Sequence, residues 1–170
     1  MKSQVSRVKI RKEAYKFSVA HMTVFPNGEK ESLHGHNYTT EVNIDLRQVP
    51  LTQMVSFADL KTEIREVCQV WDEKVLLPKS CPYLEIKFDS EVELEFLLCG
   101  KRYVLPRDEV VLLEIDNITV ENLAEVFCAE LVQRLMKRPF QNSIVAVQVL
   151  IEESPGQGAS FSWESRESAV

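Results

Sequence analysis

At 170 residues and a net charge of −6, the chain suits one domain, and its acidic balance argues against a nucleic-acid partner, which takes a basic face. A small phosphorylated substrate stays possible, since it needs only a few local cations. Hydrophobic residues at 45% and charged residues at 27% are those of a globular protein, and a chain of this length buries roughly 70% of its unfolded surface without disulfide staples.

No apolar run approaches the roughly 20 residues that span a bilayer. The opening segment MKSQVSRVKIRKEAYKF has no signal-peptide core. The expectation is a cytoplasmic protein with no membrane partner and reduced thiols. Cys68, Cys81, Cys99 and Cys128 show no C-x-x-C spacing, and Cys68 and Cys128 fall in helical stretches where they read as core.

In chain order, Tyr15, Phe17, Val19 and His21 alternate as one face of a strand. The loop FPNGEKES follows, with Pro26, Asn27 and Gly28 as turn formers. A second strand starts near His34 and sets His34, His36, Tyr38, Thr40, Val42, Ile44 and Leu46 on one face, which predicts an antiparallel pair. Ser56 caps a helix whose stripe is Phe57, Leu60, Ile64, Val67 and Trp71; it ends near Asp72, ahead of Pro78.

Residues 83–115 alternate again, as Leu84, Ile86, Phe88 and then Val92, Leu94, Phe96, Leu98, with turns at Asp89-Ser90 and Gly100. They predict an added β-meander too short for a core of its own. Thr119 caps a second helix with the stripe Val120, Leu123, Phe127, Leu131 and Leu135, and Pro139 lies past its end. In the strand 144–153, Val145, Val147, Val149, Ile151 and Glu153 share a face; a short last strand covers 159–163. The whole predicts a single α+β domain over 1–170, its helices on one face of an antiparallel sheet.

Three histidines carry the chemistry. His34-Gly35-His36 in a strand projects both rings to one side, and His21 ends the facing strand on the same alternation. Three imidazole nitrogens with a fourth position open is the donor set of a catalytic zinc site. An H-x-H pair alone is also compatible with ordinary core or surface histidines; His21 is what adds weight. Glu31, three residues before His34, is placed to act as general base, or else is a solvated loop acid. Glu153 ends an apolar row and could accept paired N–H donors from a flat heterocycle, with Glu152 as its competitor.

FSVAH (17–21), LHGHNY (33–38), WDEKVLLP (71–78), ITVEN (118–122) and IEES (151–154) occur in the order of the 6-pyruvoyltetrahydropterin and 6-carboxytetrahydropterin synthase family, which the chain resembles outside about 83–115. The resemblance implies the tunnelling fold, with an inserted β-meander between the two helices, and a homo-oligomer, commonly a hexamer of two trimers. It also implies a small-molecule pterin substrate, typically 7,8-dihydroneopterin triphosphate, and zinc as cofactor on His21, His34 and His36. Glu153 would anchor the pterin, with Thr119 as a further ring contact. The family's catalytic cysteine has no counterpart between His21 and His34, and its helper Asp-His pair stands here as Asp72-Glu73. Glu31-Ser32-Leu33-His34 resembles a branch with glutamate in place of that cysteine, whose members can release 6-hydroxymethyl-7,8-dihydropterin.

Overall fold

A computed structural model describes residues 5–47 and 54–165. The first strand, Val5–His21 (β1), pairs antiparallel with His34–Arg47 (β2), in a register that sets Phe17 against Tyr38, Val19 against His36 and His21 against His34. The alternation from Tyr15 onward is as read. It does not extend back through the strand, because between Arg11 and Lys16 the residues Lys12–Tyr15 stand against the single Thr40. That bulge switches the parity of the core-facing side, so Ile10 is buried upstream while Tyr15, Phe17 and Val19 are buried downstream.

Phe57–Trp71 (α1) starts at Ser56, whose Oγ accepts from the backbone N–H groups of Ala58 and Asp59. Phe57 departs from the expected stripe: it is 50% exposed in the first turn, with the Lys61 ammonium over its ring. Val120–Leu135 (α2) starts at Thr119, whose hydroxyl oxygen accepts from the Asn122 N–H. No described helix is long and apolar enough to cross a membrane.

Two strands were not read from the sequence. Lys74–Pro78 (β3) runs parallel to β1, and Val110–Leu113 (β7) runs parallel to β3. Their residues form short apolar runs without a period of two; Leu76, Leu77 and Pro78 are all buried, so nothing in KVLLP marks a solvent-facing side. With Ile144–Ser154 (β8) and Gln157–Glu164 (β9), the main sheet has six strands in the order β7-β3-β1-β2-β8-β9. The sheet is therefore mixed rather than antiparallel throughout. In β8 the register slips between Asp45 and Leu46, which leaves Val145 half-buried and turns Ile144 into the core instead.

The segment expected as a meander divides. Leu84–Asp89 (β4), Glu93–Leu98 (β5) and Lys101–Pro106 (β6) form a separate antiparallel sheet, while Val110–Leu113 joins the main one. A register shift at Lys87 turns Phe88 out of line with Ile86, and Phe88 is 50% exposed. Cys99 and Gly100, at φ 51° and 74°, make the left-handed two-residue turn between β5 and β6. Leu94, Phe96 and Leu98 do not close a core alone; they pack with Met22, Val24, Leu77, Cys81 and Val110. The small sheet thus rests on the chain just past His21.

The main core lies between the sheet and the two helices. Phe17 stacks on Tyr38 at 5.3 Å and meets Trp71 edge-on at 5.3 Å; Phe127 packs on Phe17 and Trp71 at 6.3 and 5.6 Å. This cluster is directly beneath the histidines. Removing the fully buried Phe127 ring leaves a cavity against Phe17 and Trp71, so Phe127→Ala is expected to lower unfolding free energy by about 3–5 kcal/mol in denaturant titrations. Mid-way along α1, Glu63, 3% exposed, accepts through its carboxylate from Arg138, just past the end of α2. The opposite sheet face is charged in pairs: Arg7 with Asp45, Lys9 and Arg11 with Glu41, and Arg11 with Glu152.

Candidate metal centre and its carboxylates

His21 is the last residue of β1 and His34 the first of β2, and the register places them opposite each other; His36 follows on the same face. The ring centroids lie 4.6 Å (His21–His34), 5.3 Å (His21–His36) and 4.9 Å (His34–His36) apart. One nitrogen from each ring falls within 4.8 Å of the others, and the Nε2 atoms of His34 and His36 are 3.1 Å apart. Nitrogens held at Zn–N distances of about 2.0–2.1 Å in a tetrahedron sit roughly 3.3–3.4 Å from one another, so the spacing suits that ion.

The protonation pattern suits it as well. His34 Nδ1–H donates to the Ser32 carbonyl at 2.8 Å, which leaves the Nε2 lone pair free for a metal. His21 is buried, and burial first, then His34 and His36, lower its pKa to about 4, so its imidazole is neutral near pH 7. The Glu31 carboxylate and then the Ile118 carbonyl work the other way, and His21 Nδ1 is buried and unpartnered. A buried orphan nitrogen is costly unless something ligates it. The residues present therefore fit zinc.

Two carboxylates approach the cluster. Glu31 Oε2 is 3.9 Å from His34 Nε2, and the Glu31 N–H donates to the Thr23 carbonyl at 2.9 Å. The Thr23 hydroxyl is the main influence that holds the Glu31 carboxyl below its ordinary pKa; burial opposes it, and His34 assists. The same hydroxyl also lies 3.4 Å from the Ile118 carbonyl, to which it can donate its one proton. Glu153 Oε1 is 3.9 Å from His36 Nε2. Glu152 points to the other sheet face, where it accepts from Arg11 Nη2 at 2.9 Å and from the Gly156 N–H at 3.1 Å. The two acids separate at a bulge between Glu152 and Ser154. Gly158 opposite allows it: a Cβ there would lie 2.2 Å from the Ile151 carbonyl oxygen.

The remaining sequence candidates lie elsewhere. Asp72 Oδ1 accepts from the Ser18 N–H at 2.8 Å, and the Glu73 N–H, at a left-handed φ of 58°, donates to the Ser18 carbonyl at 2.7 Å. Glu73 lines a neighbouring cleft of ≈ 310 Å³ with Ser18, Asn37, Lys74 and an edge of His36. Among the described residues, no hydrogen bond or ion pair joins Asp72 or Glu73 to the histidine rings. The Thr119 oxygen is engaged as the cap of α2. No thiol reaches the cluster. Cys68 and Cys128 are buried in the helices, where burial pushes their pKa values to about 12 and about 11, and Cys81 and Cys99 belong to the small sheet's core.

Sequence reasoning did not single out three further residues. Tyr38 brings its hydroxyl to 3.4 Å from His21 Nε2, and burial raises its pKa, so it stays a protonated donor. It is two residues past His36 on the same face, but an alternating row reads it as core. Thr23 and Asn117 fix the loop after β1: the Asn117 side chain accepts from the Val24 N–H at 2.9 Å and donates to the Val24 carbonyl at 2.8 Å. No local pattern announces these two.

The profile of the family described as 6-pyruvoyl tetrahydropterin synthase matches residues 9–164. The chain belongs to the 6-pyruvoyl tetrahydropterin synthase family. A Methanocaldococcus jannaschii protein, provisionally described as a 6-carboxy-5,6,7,8-tetrahydropterin synthase, is 33% identical over 147 residues, covering 86% of this chain and 88% of that one. The 6-pyruvoyl tetrahydropterin synthase of Plasmodium vivax superposes with a TM-score of 0.84 at 23% identity, covering 95% of this chain and 99% of that one. It has also been solved with a catalytic glutamate replaced by alanine and by cysteine. The sheet with its two helices is thus the tunnelling fold of 6-pyruvoyl tetrahydropterin synthases, and membership places the chain among lyases of tetrahydropterin synthesis.

Proposed function

We propose that this 6-pyruvoyl tetrahydropterin synthase relative is a zinc-dependent lyase that cleaves the side chain of 7,8-dihydroneopterin triphosphate, or a close relative, to give 6-hydroxymethyl-7,8-dihydropterin. The observation that carries the reading is the Glu31 carboxylate 3.9 Å from His34 Nε2, at a site that no cysteine reaches. The catalytic glutamate of the Plasmodium vivax enzyme supports it. His21, His34 and His36 would hold the zinc, which when bound supplies Lewis acidity to the substrate's side-chain hydroxyls.

Glu31 is held below its ordinary pKa, so it is ionised near neutrality and ready to accept a proton. In a retro-aldol cleavage it takes the proton from the hydroxyl on the carbon beyond the scissile bond. That C–O becomes a carbonyl, the carbon–carbon bond breaks, and its electron pair passes into the dihydropterin C=N. Protonation at the side-chain carbon then completes the hydroxymethyl product, and the triphosphate leaves on the aldehyde fragment. The Tyr38 hydroxyl stays protonated beside His21 and orients that ring. The resemblance adds a homo-oligomer, commonly a hexamer of two trimers, to the reading.

Mass spectrometry of the products from dihydroneopterin triphosphate and the zinc-loaded protein tests the function. The 6-hydroxymethyl compound is expected as the main product. The Methanocaldococcus jannaschii relative favours a second reading, in which 6-carboxy- or 6-pyruvoyltetrahydropterin dominates. Unchanged substrate would leave a pterin-binding paralogue without catalysis. Thr119, Asp72 and Glu73 enter none of these steps within one protomer.

Glu153 is the anchor in this reading, because it lies on the histidine side of the sheet and is free of the partners that occupy Glu152. Glu153→Gln is expected to raise the pterin dissociation constant about tenfold or more, as losing a charge-assisted pair costs on the order of 1.5–3 kcal/mol. Titration calorimetry with a non-reacting pterin checks it; unaltered affinity would remove Glu153 from the site.

A further inference from the structure

The loop that ends at Glu31 is held from outside the main sheet. Tyr83, just ahead of β4, donates its hydroxyl proton to the Pro26 carbonyl at 3.2 Å, and its ring lies so close to Gly28 that a Cβ there would sit 3.1 Å from it. Tyr103 of β6 presents its ring face to Lys30, with the ammonium 5.1 Å from the centroid. The same ammonium donates to the Glu31 carbonyl at 2.9 Å and touches Met22 Sδ at 3.2 Å. Tyr103 in turn stacks, at 5.2 Å, on the fully buried Phe96 of β5.

A continuous path of contacts therefore leads from the core of the small sheet, through Phe96 and Tyr103, to the Lys30 ammonium and the Glu31 backbone. Among the described residues no carboxylate pairs with Lys30, so the ring and the two local acceptors set its position. From the other side, Thr23 receives the Glu31 N–H and Asn117 fixes Val24.

We propose that Lys30 and Tyr103 are positioning residues for Glu31, and that the β4–β6 sheet is the rigid wall that keeps the Glu31 carboxylate at working distance from His34. The inference rests on Glu31 being the general base. A base acts only within reach of its proton, and a displacement of about 1 Å costs on the order of 10²-fold in rate.

The test compares Tyr103→Leu and Lys30→Met with Tyr103→Phe, which keeps the ring, and Lys30→Arg, which keeps the cation. The first two are expected to lower kcat about tenfold to a hundredfold, with KM and zinc content within about twofold of the parent, while the conservative pair recovers most of the rate. Hydrogen exchange at residues 29–31 should quicken in Tyr103→Leu and Lys30→Met, with α1 and α2 unchanged. In a Glu31→Gln background neither change should lower kcat further. An unchanged kcat or unchanged exchange in both variants overturns the proposal, and so does an equal loss in the Glu31→Gln background. Parental rates in Glu31→Gln alone would instead strike the base assignment, a separate and earlier readout. If Tyr103→Leu disturbs the small sheet, Lys30→Met, a loop substitution outside the strands of that sheet, carries the same comparison.

Discussion

The double variant His34→Ala,His36→Ala is expected to lose bound zinc almost completely while remaining folded. These two rings are the ones to remove, since their side chains are 36% and 27% exposed and their loss opens no buried cavity. His21, 4% exposed beside Tyr38, would confound metal loss with a packing defect. Each imidazole is one ligand of an open three-nitrogen set, and His21 alone cannot retain the ion in competition with water. Metal analysis after dialysis should find about one zinc per chain in the parent and almost none in the variant, with turnover at background. A folded double variant that keeps its zinc would place the metal elsewhere and dissolve the site.

Glu31→Gln is expected to lower kcat by roughly 10²–10⁴-fold with zinc binding retained, because the amide keeps the shape of the carboxylate and cannot accept the proton. Replacing all four cysteines with alanine or serine should leave the rate within about tenfold, since none of them reaches the histidines. Glu31→Cys puts a thiol where the family usually places one. Product ratios measured by mass spectrometry should move toward the pyruvoyl compound, and Glu73, which the resemblance sets in the place of the family's helper histidine, should keep the shift small. Parental turnover in Glu31→Gln would end the assignment and return attention to the Glu73 cleft.

Much of this was legible because the relevant signals are local. The period of two from Tyr15 to His21 and from His34 to Ile44 put three imidazoles on one face, and the structure brings them within 4.8 Å. Ser56 and Thr119 cap the helices where their side-chain chemistry says they should. What escaped depends on partners distant in sequence. KVLLP and VVLL become strands only by lying beside β1 and each other, with both faces covered. The bulges at Lys12–Tyr15, Val145 and Glu153 are register events between strands, and a single strand's alternation gives no warning of them. At the site, Glu153 continues the row Val147, Val149 and Ile151, and its competitor Glu152 turns to the other face, onto Arg11.

The charged side of the sheet has a consequence for transport. Three cations, Arg7, Lys9 and Arg11, stand among three anions, Glu41, Asp45 and Glu152, each within an ion pair. Such pairs keep the surface wet, and each cancels much of its own field toward a passing solute. Any ring of subunits that curls this side inward would enclose an aqueous bore lined by ion pairs. A polyanion as large as a nucleoside-like triphosphate would there meet cations already partnered by carboxylates, which weakens their hold on it.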